Sequence, residues 1–408
     1  MNIWILNHYA IPPNSAGGTR HFDLAKRWSE KGHQVTIFSS NFDYMERIVA
    51  QRVAKCTSEF VDPVMFIRVK TRPYSKNDIH RLLGMVDYAI NVLRCPDGIE
   101  KPDIIIGSMV HHFAVVASYQ LSRKYRVPFI IEVRDLWPET LVEMGAFSDY
   151  HPFVVLLKML NKFLFPRASH IVSVPPFAHE RIMHYGVPKE RITHLPNFVD
   201  IERFSSSESE AKYKDDLFIV MYAGLHGPSN GLDVVLKAAY ILQQKKVMDV
   251  RFWLVGDGPE KPALIRLSQT LGLRNVEFYQ PMPKDRIGEL MQKASAFVFH
   301  QRDLPVLVNY GISANKLFDY MAVGRPIIFA CRSRNDPVTE SGGGIAIPPE
   351  NPQAMANAIL RLFHMSQDEL KQMGNNARQY VIQNYSADIV AEKYLDLIER
   401  IAAHDGSN

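Results

Sequence analysis

Short apolar runs recur along the whole chain, and each is followed by a loop and then by residues with helical spacing. Such uninterrupted apolar runs are typical of parallel strands that helices cover on both faces. Strands that alternate with helices favour a doubly wound sheet. The strand candidates are 2–6, 35–38, 64–69, 103–106, 129–133, 171–174, 218–222, 251–255, 276–279, 297–300 and 327–331. The sequence therefore predicts an α/β protein with βα units in both halves.

The length and one polar segment divide these units between two domains. A chain of 408 residues exceeds what one hydrophobic core usually supports. Near its middle, residues 205–216 (SSSESEAKYKDD) are polar and rich in small residues, which is typical of an exposed connector. We therefore predict two doubly wound, Rossmann-like domains that face a cleft.

Composition limits the class of protein. A hydrophobic content of 47% with 22% charged residues is that of a soluble globular protein. Three widely spaced cysteines indicate a reducing compartment, and we expect neither a secretion signal nor a membrane-spanning helix. Residues 1–198 hold 24 Lys and Arg against 18 Asp and Glu, a balance of +6. This excess is compatible with an anionic partner or with ordinary scatter.

One stretch, residues 309–331, combines a helix with an unusually placed cation. Ser313 is a plausible N-cap, and Gly324 suits the position after the helix C-terminus. Lys316 then falls in the first helical turn, where exposed amides already carry positive partial charge. A bound diphosphate would resolve the conflict, because backbone N–H groups and the ammonium would both contact it. The alternative is an ion pair between Lys316 and Asp319, one turn further on.

Glycines follow several predicted strands. Gly17 and Gly18 precede the first helix, where backbone amides could approach a phosphate or sugar. The G-x-G-x-x-G spacing of nicotinamide enzymes is absent, which argues against that class. Arg20 either joins an anion contact there or lies in solvent.

Polar side chains follow two further strands at the edge where open α/β sheets bind ligands. His111 and His112 come after the strand at 103–106, and a neutral imidazole could bond a sugar hydroxyl without burying a charge. Capping or packing roles are the alternative for both histidines. Asp135 and Glu139 follow the next strand and could orient acceptor hydroxyls or assist proton removal. A structural network around Arg134 would explain the acids equally well.

The segments SANKLFDYMAVGRPII and EVRDLWPE resemble those of retaining glycosyltransferases of family 4, more narrowly a bacterial polysaccharide subgroup that includes WbuB-like aminosugar transferases. The resemblance spans nearly the whole chain and implies the GT-B fold. It places the N-terminal domain at 1–198, the donor-binding domain at 199–384, and a final helix, 385–404, that crosses back to the first domain. Many relatives have two glutamates eight positions apart in the first segment. Asp319 matches the second, which holds the ribose, whereas Gly311 stands at the first.

The resemblance also assigns roles to individual residues. It implies that His111 touches the donor sugar, that Lys316 and helix amides stabilise the departing diphosphate, and that Asp135 acts on the acceptor side. Relatives commonly hold the diphosphate with an arginine and a lysine, where this chain has Leu225 and Asn230; His226 could compensate. The implied donor-binding residues are Gly17, Gly18, Gly224, Gly256, Gly258, Pro281, Met282, Asn315, Lys316, Leu317 and Asp319.

The implied function is retaining transfer of an N-acetylated or deoxy aminosugar from a UDP-sugar to a polyprenyl-diphosphate-linked saccharide, in O-antigen or capsule assembly. No Asp-x-Asp motif occurs, so we expect no metal and no other cofactor. The acceptor places the protein at the inner face of the cytoplasmic membrane, and residues 150–167 form either a membrane-surface helix or a core-facing one. Two other functions remain open: a non-hydrolysing UDP-N-acetylglucosamine 2-epimerase and a non-catalytic nucleotide-sugar-binding protein.

Overall fold

The computed structural model of the protein describes residues 1–13, 15, 17–43, 48–49, 55–74, 79–95, 98–204, 217–283 and 286–405. These residues form two compact units, each with its own main sheet. The first unit is Met1–Asn197 together with the C-terminal helix, and the second is Phe198–Ser386. The predicted connector, 205–216, lies outside the described residues.

The first unit contains an eight-stranded sheet and a separate two-stranded one. Its strands are β1 (Asn2–Leu6), β2 (Gln34–Ser40), β3 (Phe42–Asp43), β4 (Ile48–Val49), β5 (Cys56–Val61), β6 (Val64–Val69), β7 (Ile104–Ser108), β8 (Phe129–Val133), β9 (His170–Ser173) and β10 (Ile192–His194). Its helices are α1 (Arg20–Glu30), α2 (Ile79–Val92), α3 (His112–Tyr125), α4 (Glu139–Glu143), α5 (Pro152–Leu164) and α6 (Ala178–Met183).

The strand order of the large sheet is β10-β9-β8-β7-β1-β2-β6-β5. Its neighbours are parallel except for the antiparallel pair β5 and β6. From β1 the chain builds the sheet outward in one direction, and from β7 in the other. The adjacent carboxyl ends of β1 and β7, where Leu6 pairs with Gly107, are therefore a topological switch point, the usual ligand position of such sheets.

The second unit has a six-stranded, wholly parallel sheet in the order β13-β12-β11-β14-β15-β16. Its strands are β11 (Phe218–Ala223), β12 (Val250–Val255), β13 (Val276–Tyr279), β14 (Ala296–His300), β15 (Ile327–Ala330) and β16 (Gly344–Ile347). Its helices are α7 (Leu232–Gln244), α8 (Lys261–Thr270), α9 (Ile287–Met291), α10 (Pro305–Tyr310), α11 (Asn315–Val323), α12 (Pro337–Ser341), α13 (Pro352–His364) and α14 (Gln367–Tyr385). The switch point here lies between β11 and β14.

The last helix, α15 (Ala387–Asp405), packs on the first unit. The indole of Trp28 in α1 donates a hydrogen bond to the carbonyl of Ala391 at 2.9 Å and meets the Tyr394 ring edge-on. Both aromatic rings are buried, so α15 completes the core of the unit that the N-terminus begins.

The apolar runs predicted as strands are confirmed, with ends that agree to within two residues. Five further strands carry weaker patterns: β3 and β4 have two residues each, β5 is a half-exposed edge strand, β10 has three residues, and β16 begins at Gly344. The predicted N-cap, Ser313, was wrong, because Ala314 takes that position in extended conformation, without a side-chain cap. Gly324 ends α11 in the left-handed conformation, as predicted.

Candidate active site

In the second unit, Lys316 extends from the first turn of α11 toward the switch point. Its ammonium donates to the Tyr222 hydroxyl at 3.2 Å and to Oδ1 of Asn230. It also lies 5.0 Å from the centroid of the Tyr222 ring and 5.1 Å from that of Phe299. Tyr222 is near the end of β11 and Phe299 near the end of β14, so the ammonium sits over the two strands that flank the switch point. These contacts, rather than a pair with Asp319, hold the Lys316 side chain.

The helix that carries Lys316 is fixed to the same strand ends. The hydroxyl of Tyr320 accepts from the N–H of Ala223 at 2.8 Å and donates to its carbonyl at 2.9 Å. The Tyr320 ring stacks on Phe297 of β14 at 4.4 Å. Since Tyr320 is fully buried, the first turn of α11 is held in register with the sheet edge.

The electrostatics of this position are unusual for a lysine. Lys316 is half-buried among aromatic rings and neutral oxygens, and burial lowers the pKa of its ammonium from 10.5 to about 7. Desolvation disfavours the charged form, and no carboxylate lies among its hydrogen-bond partners in the described part of the chain. An anion bound here would restore the charged form.

The positions where relatives carry an arginine and a lysine are occupied differently. Leu225 is 54% exposed and offers no charge. Asn230 is buried, and its Oδ1 accepts from Gln301 at 3.0 Å as well as from Lys316. The Asn230 side chain also donates to the Leu225 carbonyl at 2.8 Å. The ammonium of Lys316 therefore lies beside Asn230, at the position where relatives carry a lysine.

Gly224, Gly256 and Gly258 are brought together by the parallel pairing of β11 with β12. A Cβ on Gly256 would stand 2.0 Å from the Gly224 carbonyl oxygen, and one on Gly258 would stand 2.5 Å from the carbonyl oxygen of His226. All three glycines have positive φ, at +158°, +135° and +156°. Only glycine fits such close backbone approach, so the two turns pack directly on each other, and a Cβ on Gly224 would stand 3.4 Å from Cδ of Lys316.

His226 carries no charge in the free protein. Its ring is fully buried beneath the glycine turns, and burial, followed by the charge of Lys261, lowers its pKa to about 4. The imidazole is therefore neutral at physiological pH, and compensation by His226 stays a prediction.

The loop after β13 contains Pro281, which is exposed, and Met282, which is half-buried. A buried lysine supports the start of this loop. Lys261 donates to the carbonyl of Gly256 at 2.7 Å and to that of Tyr279 at 3.0 Å, joining the ends of β12 and β13.

The remaining residues predicted to bind donor in this unit lie on α11. Asn315 begins the helix and Asp319 lies one turn on, and both are half-buried. Leu317 is fully buried, and its N–H donates to the Ala314 carbonyl at 3.0 Å, so its side chain serves the core. Asn315 and Lys316 thus provide the first two backbone N–H groups at the helix start.

In the first unit, His111 caps α3 at the switch point. Its Nδ1 accepts from the N–H of Ala114 at 3.2 Å, and its Nε2 lies 2.9 Å from Nδ1 of His8, two residues beyond β1. Both rings are buried. His112 lies elsewhere, with its Nε2 at 2.8 Å from Oδ1 of Asn161 on α5, so it follows the packing alternative.

The acidic candidates separate clearly. Asp135 is exposed just beyond β8. Glu139 is buried and accepts from Arg181 at 2.6 Å and from the Tyr185 hydroxyl at 2.8 Å, which makes it structural. In the described ranges, no group of three or more His, Cys, Asp or Glu side chains is placed to hold a metal ion.

Near the N-terminal loop, Gly17 is half-buried with a φ of +137°, and Gly18 is exposed. Arg20 is buried, and both expectations for it were wrong. Its guanidinium donates to Glu132 at 3.1 Å and to the carbonyls of Leu195 and Pro196 at 3.2 and 2.5 Å. Burial raises the pKa of the Glu132 carboxyl, but nearby charges, led by Arg20, hold it well below its usual value.

Comparison with protein families decides the class of this chain. The Glycosyltransferase Family 4 model matches residues 17–203, and the Glycosyl transferases group 1 model matches residues 217–365. The chain belongs to glycosyltransferase family 4. It is a retaining glycosyltransferase with the GT-B fold.

Individual relatives of this glycosyltransferase are distant. The putative colanic acid biosynthesis glycosyl transferase WcaI of Escherichia coli is 21% identical over 72% of this chain and 74% of its own. The alpha-D-kanosaminyltransferase of Streptomyces kanamyceticus is 22% identical over 72% and 78%. Sucrose-phosphate synthase of Thermosynechococcus elongatus has the same fold, with a TM-score of 0.77, 16% identity and 99% coverage of both chains. HepE of Anabaena, solved with UDP-glucose, has a TM-score of 0.70, 16% identity and coverage of 98% and 100%.

Sequence reasoning missed three residues of the candidate site: His8, Tyr222 and Lys261. His8 and Tyr222 lie at or just beyond a strand end, the same signal that singled out His111, whereas Lys261 begins α8. The signal was insufficient because strand order decides which strand ends are neighbours, and local sequence pattern does not contain that order.

Proposed function

We propose that this glycosyltransferase transfers an N-acetylated or deoxy aminosugar from a UDP-linked donor to a polyprenyl-diphosphate-linked saccharide in O-antigen or capsule assembly. The observation that carries the proposal is the Lys316 ammonium at the switch point, beside the glycine turns and the N-terminus of α11. This arrangement suits a diphosphate, which would meet a cation, backbone N–H groups and a helix dipole together.

In the proposed reaction, Lys316 stabilises the charge that develops on the departing UDP as the glycosidic bond breaks. The Lys316 ammonium, beside Asn230, has the role of the lysine that relatives carry at position 230. Because the protein supplies this charge, the reaction needs no divalent metal. His111 contacts a hydroxyl of the transferred sugar, Asp319 binds the ribose, and Asp135 acts on the acceptor side.

The names of several relatives support the proposed donor and acceptor. HepE was solved with UDP-glucose, which supports a UDP donor. The kanosaminyltransferase is named for the transfer of an aminosugar, which agrees with the resemblance to WbuB-like enzymes. The WcaI protein is named for colanic acid biosynthesis, which supports an acceptor of the cell-surface polysaccharide type.

The exposed face of helix α5 supports the proposal that the protein binds a membrane surface. One face is buried in the first unit, while the other exposes Val155, Leu156, Met159 and Phe163, at 42 to 64%. Lys162 is exposed beside them, and the Arg167 guanidinium stands 3.9 Å from the centroid of the Phe163 ring. Apolar side chains with a cationic edge match the interface of an anionic bilayer. No helix in the described part of the chain has the length and apolar character needed to cross a membrane.

A transfer assay tests the proposed reaction. Purified protein is incubated with each of a panel of UDP-sugars and a polyprenyl-diphosphate-linked disaccharide, with chelator or with magnesium. We expect one aminosugar donor to yield an α-linked product at a rate that chelator changes less than about twofold. Conversion of the donor alone to an epimer would identify an epimerase. Tight UDP binding without transfer to any acceptor would identify a binding protein.

A vesicle assay tests the membrane surface. Met159→Glu is expected to reduce sedimentation with phosphatidylglycerol vesicles at least fivefold, because it places a carboxylate in the apolar stripe. The control is Phe60→Glu, since Phe60 is 64% exposed on β5 of the same unit. Equal binding by both variants and the parent would exclude α5 as the contact.

A further inference from the structure

The imidazole of His111 is held by a second histidine at the switch point of the first unit. His8 and His111 are separated by 103 residues, yet Nδ1 of His8 and Nε2 of His111 are 2.9 Å apart. The two rings meet edge-on, with centroids 5.0 Å apart, and are 2% and 5% exposed. A hydrogen bond between two buried imidazoles requires one donor and one acceptor, so it constrains where both protons lie.

The protons can be assigned from the hydrogen bonds. The N–H of Ala114 donates to Nδ1 of His111, which must therefore carry a lone pair. The single proton of the neutral His111 ring is then on Nε2 and is donated to Nδ1 of His8. Both rings are neutral near pH 7, since burial lowers the pKa of His8 to about 3 and that of His111 well below its usual value. The lone pair of His111 is thus used by Ala114, and its proton is held by His8, which leaves His111 as a hydrogen-bond donor only.

His8 is itself held in a fixed orientation. Its ring stacks between those of Tyr9, at 4.4 Å, and Tyr88, at 4.8 Å. The Tyr88 hydroxyl donates to the carbonyl of Phe38 in β2 at 2.7 Å, which fixes that side of the stack to the sheet. His8 therefore has an immobile acceptor nitrogen aimed at His111.

We propose that His8 is a positioning residue, which fixes the His111 ring with its proton on Nε2, so that a hydroxyl oxygen of the transferred sugar shares this proton with Nδ1 of His8 in a three-centre hydrogen bond. The inference rests on the proposed contact between His111 and that sugar. His8 accepts its part of the bond with and without the sugar and prevents the His111 ring from rotating about its Cβ–Cγ bond. His111 accordingly acts as a hydrogen-bond donor in the reaction, and proton removal falls to another group.

Two substitutions at one position separate hydrogen bonding from packing. His8→Phe keeps an aromatic ring between Tyr9 and Tyr88 but removes the acceptor. His8→Asn removes the stacked ring but keeps the acceptor, because Oδ1 of asparagine and Nδ1 of histidine are both two covalent bonds from Cβ. The matched control is His170→Asn, which alters a buried histidine of the same unit that bonds Thr193 on the adjacent strand.

The kinetic arm uses the transfer assay. His8→Phe is expected to lower kcat about 10- to 100-fold, because a small misorientation of a contacting group has that order of effect. KM for the donor should change less than about threefold, and His8→Asn should recover most of kcat. An unchanged kcat in His8→Phe, or an asparagine variant no better than the phenylalanine one, would overturn the proposal. So would an equal loss in His170→Asn.

The spectroscopic arm needs no substrate. In protein with ¹⁵N-labelled histidine, two-bond correlations should place the His111 proton on Nε2, as a proton resonance that exchanges slowly with water. This resonance should vanish in His8→Phe and persist in His8→Asn. A proton on Nδ1 of His111, or a resonance indifferent to His8, would refute the positioning role. If the parent protein transfers no sugar at all, the proposed function fails and this arm alone decides the proposal about His8.

Discussion

Replacement of Lys316 by methionine is expected to weaken UDP binding while leaving the fold intact. Methionine keeps an unbranched side chain of similar length against the rings of Tyr222 and Phe299, and it removes only the ammonium. A charge-assisted hydrogen bond contributes about 1.5 to 3 kcal/mol, so the Kd for UDP should rise roughly 10- to 150-fold.

The pKa of Lys316 adds a second, sharper signature. With a pKa of about 7 in the free protein, half of the molecules must take up a proton at pH 7 to bind a diphosphate with a charged lysine. From pH 7 to pH 8, the affinity for UDP should therefore fall about fivefold. Binding should also consume protons, about half a proton at pH 7 and nearly one at pH 8.5.

The same shift affects stability, with a definite sign. Between pH 7 and 10.5 the unfolded lysine binds more protons than the folded one, so the free energy of unfolding should rise with pH. The slope should approach, and not exceed, about 1.4 kcal/mol per pH unit. Lys316→Met should lack this contribution and should be the more stable protein near pH 7.

Calorimetry in buffers of different ionisation enthalpy measures Kd and proton uptake together, from pH 7 to 8.5, with chelator present. Lys237→Met is the matched control, since Lys237 lies in the same unit but pairs with Asp233 at the surface of α7. Equal UDP affinity in Lys316→Met and the parent would refute the assignment of Lys316 to the diphosphate, and binding without proton uptake at pH 8 would refute its lowered pKa.

Two further substitutions test the supporting structure of each unit. Glu132→Gln leaves the buried Arg20 guanidinium without a carboxylate and should lower the free energy of unfolding by about 3 to 5 kcal/mol in urea titration; no change would show that the pair is neutral. Because the Glu132 pKa is depressed in the folded state, the parent should lose this stability as the pH falls below 4.5, and the variant should not. Gly256→Ala places a Cβ 2.0 Å from the Gly224 carbonyl and should weaken UDP binding at least about tenfold. Gly272→Ala, with φ at +60° and open space, should cost about 1 to 2 kcal/mol and keep the parental Kd, and equal effects of the two would mean that backbone strain alone is responsible.

The positions of the main strands followed from local pattern. A strand buried on both faces must be apolar throughout, so runs such as Asn2–Leu6 and Ile327–Ala330 are visible in the sequence itself. Gly324 likewise ends α11 because a left-handed residue is required there. The strand at Ile327–Ala330 and the helix end at Gly324 limit where α11 can lie, and Lys316 then falls in its first turn.

Weaker local patterns were misread for physical reasons. The edge strand β5 is half-exposed and lacks a continuous apolar run, and the glycine at the start of β16 has the composition of a turn. From the local sequence, the charged side chain of Arg20 was predicted to lie in solvent or to contact an anion. Its burial depends on Glu132, which lies 112 residues away and accepts its hydrogen bond.

The amino-acid sequence by itself determined the fold class, most strands of the two main sheets, and a lysine at a helix N-terminus. Only the tertiary structure decided which strand ends meet. It brings Lys316 to Tyr222 and Asn230 across 94 and 86 residues, and His8 to His111 across 103. Periodicity reports the burial and backbone conformation of neighbouring residues, whereas strand order arises from the packing of segments far apart in the chain. Both candidate sites lie at switch points, and a switch point exists only once the sheet is assembled.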